Sequence, residues 1–94
     1  MHHIVLDGTS WQTRDDFYDA LLDALGAPAW HGHNLDAVND SFTNGNINRV
    51  NPPFSISIVG RDAMGAEARA MVTRFCNHVD GLRADGHRVW ADYS

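Results

Sequence analysis

The chain has 94 residues, 44% of them hydrophobic, and no low-complexity tract, which supports one small globular domain over residues 1–94. Cys76 is the only cysteine, which rules out an internal disulfide and with it a secreted disulfide scaffold. The net charge is −5, and its acidic front half argues against nucleic acid as the direct partner, because phosphate binding needs clustered Lys and Arg.

From the N-terminus, His3–Asp7 reads as a short strand closed by the Asp7-Gly8 turn signal. Met1–Asp7 meets charge too early for a signal peptide and no stretch nears the length of a membrane span, so a cytoplasmic location is expected. Thr13 is placed to cap a first helix, with Asp15 and Asp16 in the first turn where the helix dipole favours anions. Phe17, Leu21, Ala24 and Leu25, flanked by Tyr18 and Leu22, recur at helical spacing, while Asp15, Asp19 and Asp23 take the other side. Gly26 followed by Pro28 stops this helix. After a loop at Ala27–His33, Asn34 is placed to cap a second helix running to Thr43, with Leu35, Val38 and Phe42 as its apolar stripe.

Asn44–Pro53 is a turn-rich loop that ends in two prolines, which cannot donate to a sheet. Phe54–Val59 follows as a strand, with Phe54, Ile56 and Ile58 on one side and Ser55 and Ser57 on the other. Gly60–Gly65 is irregular, with room for a helical turn. A long helix from Ala66 to Ala84 buries Ala68, Val72, Phe75, Val79 and Leu82, and Gly86 ends it. His87–Asp92 is the last strand. The order β-α-α-β-α-β requires crossover connections, which predicts an α/β fold: a small three-stranded parallel sheet covered by three to four helices.

Charge is unevenly spread. Residues 1–40 carry seven Asp and one Arg, a net of −6, whereas residues 41–94 carry six Arg against five acidic residues, a net of +1. The acidic front half suits a basic partner. Asp36 and Asp40 are its most informative members: at about 100° per residue they share a narrow arc with Thr43, with Asn39 at its edge, away from the apolar stripe. Like charges at i, i+4 destabilise a helix by roughly 0.2–0.5 kcal/mol, and no Arg lies within a turn to relieve them. The plain alternative is a solvated face, of which Asp15, Asp19 and Asp23 are an example.

Trp30, bracketed by Pro28 and Gly32, is expected to be exposed in part. An aromatic beside an uncompensated carboxylate pair is what a protein interface needs, an apolar anchor next to charge recognition; the alternative is a Trp that covers the edge of the core. His31 and His33 have the spacing of chelating ligands, but a zinc site wants three or four fixed ligands and the sequence brings no others near. Polar contact with a partner is the expected role of these His residues, and no metal or cofactor is expected. Cys76, at the edge of the buried stripe of the long helix, reads as core filler, and no nucleophile–base spacing or phosphate loop points to an enzyme.

The segment Leu25–Phe42 resembles the central segment of the barstar family. Its Pro28, Trp30, Gly32, Asn34, Leu35, Asp36, Ala37, Val38 and Asp40 match, in order and spacing, the family's Pro, aromatic, Gly, Asn-Leu-Asp-Ala, aliphatic and second Asp. The order of elements agrees over essentially the whole chain. The resemblance implies a three-stranded parallel α/β fold and a role as the intracellular inhibitor of a secreted guanyl-preferring ribonuclease, monomeric when free and forming a one-to-one complex. In that family the second helix and the loop before it plug the basic cleft of the nuclease.

Carried over by resemblance, Asp40 would stand where the RNA phosphate binds, and Asp36 would add a second charged contact. Trp30 would pack against a catalytic-site side chain, Gly32 and Asn34 would shape the loop and supply backbone and amide contacts, and Thr43 would lie at the edge. The chain also departs from the family. Asn39 stands where the family has a contacting Trp, and His31 and His33 replace a Tyr and a Glu. The Asn44–Pro53 loop is longer and lacks an aromatic, and Gly81 falls at a further acidic contact that the adjacent Asp80 is expected to replace. These departures leave open a barstar-like module retargeted to a different toxin or regulatory partner, and a small metal-dependent or acid–base enzyme is a third reading.

Overall fold

A computed structural model describes residues 1–94. Its elements are β1 (His2–Asp7), α1 (Arg14–Leu25), α2 (Leu35–Asn44), β2 (Phe54–Val59), a 3-10 turn at Arg61–Ala63, α3 (Ala66–Ala84) and β3 (Val89–Tyr93). The three strands form one parallel sheet in the order β1-β2-β3, with Ile4 opposite Ile56 and Ile56 opposite Ala91. The expected α/β architecture is therefore present, with three α-helices.

The helix ends follow the residues that set them. Thr13 is extended and accepts from the Asp16 amide, while the Asp16 carboxylate accepts from the Thr13 amide, a reciprocal cap on α1. Gly26 closes α1 in the left-handed region at φ 64°, its N–H donating to Asp23. A side chain there would drive a Cβ to 2.7 Å from Arg49 Cβ, so both the backbone angle and the space call for glycine. The last strand starts two residues later than expected because the His87 N–H donates to Leu82 O, closing the end of α3. It runs on to Tyr93, and the Ser94 N–H donates to Ile58 O beyond it.

One cluster of 20 buried residues joins α1, α2 and α3 to the same sheet face, formed by Ile4, Leu6, Phe54, Ile56, Ile58 and Val89. All three helices thus cover one side of the sheet. Phe75 on α3 is central, with its ring 5.1 Å from Phe17 on α1 and 6.2 Å from Phe42 on α2; Phe42 in turn meets Phe54 edge-on at 4.9 Å. Such pairs add about 0.5–1.5 kcal/mol each beyond area burial, and together they tie α1 to α3, and α2 to α3 and the sheet. The other sheet face carries His3, Ser55, Ser57 and Asp92 as well as Val5, and the Ser57 hydroxyl donates to Asp92 at 3.2 Å.

The loop from Gly45 to Pro53 is strapped to the end of α1. The Arg49 N–H donates to Gly26 O and the Val50 N–H to Leu25 O, at 3.2 and 3.0 Å. Asn48 is buried within this loop, and neither atom of its amide is hydrogen-bonded to another protein group.

Candidate functional site

The segment between α1 and α2 begins at the Gly26 cap and turns back on itself at Pro28–His31, where the His31 N–H donates to Pro28 O at 3.0 Å. Ala29 and Trp30 form the tip of that turn. Trp30 is 75% exposed, the most open large apolar side chain of the chain. An indole in that position loses apolar contact with the core while standing in water, a placement that makes sense when something else covers it.

The residues after the tip anchor it. His31 is buried at 6% exposure, against the expectation of a contact side chain. Its Nδ1–H donates to Gly32 O at 2.9 Å, and its Nε2 lies 2.9 Å from the Ser41 hydroxyl on α2. The imidazole has its two polar atoms engaged within the protein, so what His31 offers outward is the shape of the turn it holds. Gly32 approaches α2 closely: a Cβ would sit 2.8 Å from Asn34 Nδ2 and 3.3 Å from Ala37 Cβ. His33 turns the other way and stacks on Tyr18 of α1 at 5.7 Å between ring centroids. Its nitrogens stand 3.4 Å from Asp15 and 3.8 Å from Asp19, contacts that become ion pairs when the ring is protonated. One His thus clips the loop to α2 and the other to α1. Their rings diverge, and no group of three or more His, Cys, Asp or Glu side chains is gathered where it could hold a metal ion.

Asn34 caps α2 as expected, its Oδ1 accepting from the Ala37 N–H at 2.8 Å. Asp36 and Asp40 are exposed and neither enters an ion pair. Asp36 lies in the first turn, where the helix dipole favours it; Asp40 lies past the middle, where it does not. Asn39 is half-buried and turned toward α3, accepting from His78 Nε2–H at 3.0 Å. Thr43 is also half-buried, with its hydroxyl donating to Asn39 O at 2.8 Å. Trp30, Asp36 and Asp40 are therefore the members of the expected set whose side chains remain both exposed and unpaired.

Asp80 is not among them. It pairs with Arg83 at 3.3 Å, and its charge is felt by Cys76. At about 100° per residue it lies roughly 200° round α3 from His78, which faces α2. Asp80 thus stands on the far flank of α3, outside the groove that Gly81 lines. Gly81 itself, with Asn39, Asn77, His78, Leu82, Ala84 and Asp85, lines an open groove of about 500 Å³ between α2 and α3. Its acidic rim residue is Asp85.

Three residues of this region escape a reading of periodicity. His78 and Asp85 lie on the side of α3 that faces α2, a relation between helices that spacing within one helix does not reveal. Ser41 did carry a signal: a hydroxyl beside Val38 and Phe42 on the buried arc of α2 must find a partner, and it finds His31. Cys76 is half-buried, and burial, with smaller contributions from the negative charges of Asp80 and Asp92, pushes its thiol up to about 11, far from nucleophilic. No helix of the chain is long and apolar enough to cross a membrane.

Set against models of known protein families, residues 1–93 match the one described as Barstar (barnase inhibitor). Set against curated proteins, the chain matches none.

Proposed function

The chain belongs to the barstar family, and from that premise we propose that it is an immunity protein or antitoxin, a cytoplasmic inhibitor that binds a basic ribonuclease toxin one-to-one and occludes its active site. One observation carries the reading: Trp30 is bare at a turn tip while Asp36 and Asp40, on the helix that follows, are exposed with no cation beside them. Unpaired carboxylates on a rigid helix offer a nuclease the charge and geometry of RNA phosphates. Bidentate Arg–carboxylate pairing makes that contact strong. An acidic protein also draws a basic partner from a distance, so the complex weakens as salt is added. In this reading Asp40 takes the phosphate position, Asp36 the second charge and Trp30 the apolar anchor, and the protein performs no chemistry of its own.

A second reading keeps the family and the surface but changes the target to a toxin that is not a ribonuclease. It is favoured by Asn39, which stands where the family presents a contacting Trp and here bonds inward to His78.

The test is titration of the protein into a panel of small basic ribonucleases, with Asp40→Ala and Asp19→Ala alongside. Loss of a charge-assisted hydrogen bond is worth about 1.5–3 kcal/mol, so Asp40→Ala should weaken inhibition roughly 10- to 100-fold, and Asp19→Ala little. Equal effects of the two substitutions would remove the site assignment. Inhibition of no ribonuclease, with capture of a different toxin, would move the function to the second reading.

A further inference from the structure

We propose that His31 is a positioning residue, whose imidazole ties the turn carrying Trp30 to the helix carrying Asp36 and Asp40 so that anchor and carboxylates are presented as one preformed surface; this rests on the inhibitor reading above. The argument starts from what the hydrogen bonds demand. Gly32 O can only accept, so Nδ1 carries a proton. In the neutral ring Nε2 is then bare and must accept from the Ser41 hydroxyl, 2.9 Å away. That is the Nδ1–H tautomer. Ser41 Oγ also lies 3.1 Å from Val38 O. The hydroxyl has one proton, so Val38 O is the acceptor it gives up when it serves Nε2.

The pair sits where a connection has most leverage. His31 and Ser41 are 6% and 3% exposed, so water competes little for either bond. Ten residues of sequence separate them, and between them lie Gly32, the Asn34 cap and both carboxylates. His31 is also the residue next to Trp30 and the one whose N–H closes its turn on Pro28 O. Without the bond to Ser41 the turn keeps its local closure but its orientation relative to α2 is no longer held by this link. A loop already ordered before binding loses less entropy in the complex.

Side-chain length separates the two bonds. An Asn places its amide nitrogen where His31 has Nδ1 and can serve Gly32 O, but it falls short of Ser41. A Gln reaches the Nε2 position and can serve Ser41. The experiment compares wild type, His31→Gln, His31→Asn and Ser41→Ala by 15N NMR on the free protein, then by ribonuclease inhibition, with thermal melts confirming that each folds. Wild type should show the Nδ1–H tautomer at pH 8 and rigid backbone order parameters near 0.85 at Trp30. His31→Asn and Ser41→Ala should fall toward 0.6 or below there and inhibit about tenfold more weakly, and His31→Gln should restore both. An Nε2–H tautomer in wild type, or equal Trp30 order in all four proteins, overturns the proposal. These readouts need no partner, so they decide it even if wild type inhibits no ribonuclease. Inhibition by wild type matched by His31→Asn overturns the positioning role and leaves the inhibitor reading standing.

Discussion

His78 on α3 and Asn39 on α2 share a hydrogen bond of 3.0 Å, the imidazole Nε2–H donating to the amide oxygen. Because the bond joins two helices across a half-buried seam, it should contribute to stability and be lost when either residue is replaced. Asn39→Ala and His78→Ala are each expected to lower the unfolding free energy by about 1 kcal/mol. The double variant should lose less than the sum of the two, since only one bond is present. Urea unfolding of the four proteins measures this, and strict additivity would show that the contact carries no energy.

Asp40 sets stability against binding. Its repulsion with Asp36 one turn earlier, and its place past the favourable part of the helix dipole, make it unfavourable in the free protein. Asp40→Asn should therefore raise stability by roughly 0.2–0.5 kcal/mol, about 1–4 °C in melting temperature for a chain of this size. The same variant should inhibit poorly. A melt that falls instead would show that Asp40 has a stabilising partner in solution.

Asp16 is held below the ordinary 3.8 by the Gln12 N–H first and the Thr13 N–H next; Asp7 is held below it by the Thr9 N–H and then the Thr9 hydroxyl. A carboxyl with a folded value below its unfolded one stabilises fully above the unfolded value. That contribution is lost as pH falls through the folded value. Both groups therefore add nothing to the pH dependence near neutrality and weaken the fold below about pH 4. Unfolding free energies measured from pH 6 to pH 2 should fall more steeply for wild type than for Asp16→Asn. Parallel curves would mean that the Asp16 cap adds nothing to stability.

Burial of the Cys76 thiol predicts chemical silence. With its value raised to about 11, alkylation by iodoacetamide at pH 8 should be slower than that of an exposed cysteine by on the order of a hundredfold. Unfolding in urea should restore the ordinary rate. Fast labelling of the folded protein would show that burial does not hold the thiol in its protonated form.

Much of this architecture is legible in the residues. Thr13, Gly26 and Asn34 announce the helix ends through chemistry local to each, and the stripe from Ala68 to Leu82 announces α3 through period alone. The exposed trio Trp30, Asp36 and Asp40 is visible too, because uncompensated charge and a turn-bound aromatic are properties of short stretches. What stays hidden depends on contacts between elements. The burial of His31 rests on Ser41, and the stacking of His33 rests on Tyr18 fifteen residues earlier. Asp80 beside Gly81 looks interchangeable with it along the chain, yet one step of a helix swings a side chain by about 100°, far enough to leave the groove.

The strap from Arg49 and Val50 to the end of α1 gives the long loop a mechanical meaning. It grips Leu25 and Gly26, the root from which the Trp30 turn springs. The turn that carries the indole is thus moored at both its ends, to the long loop at Leu25 and Gly26 and to α2 through His31 and Ser41.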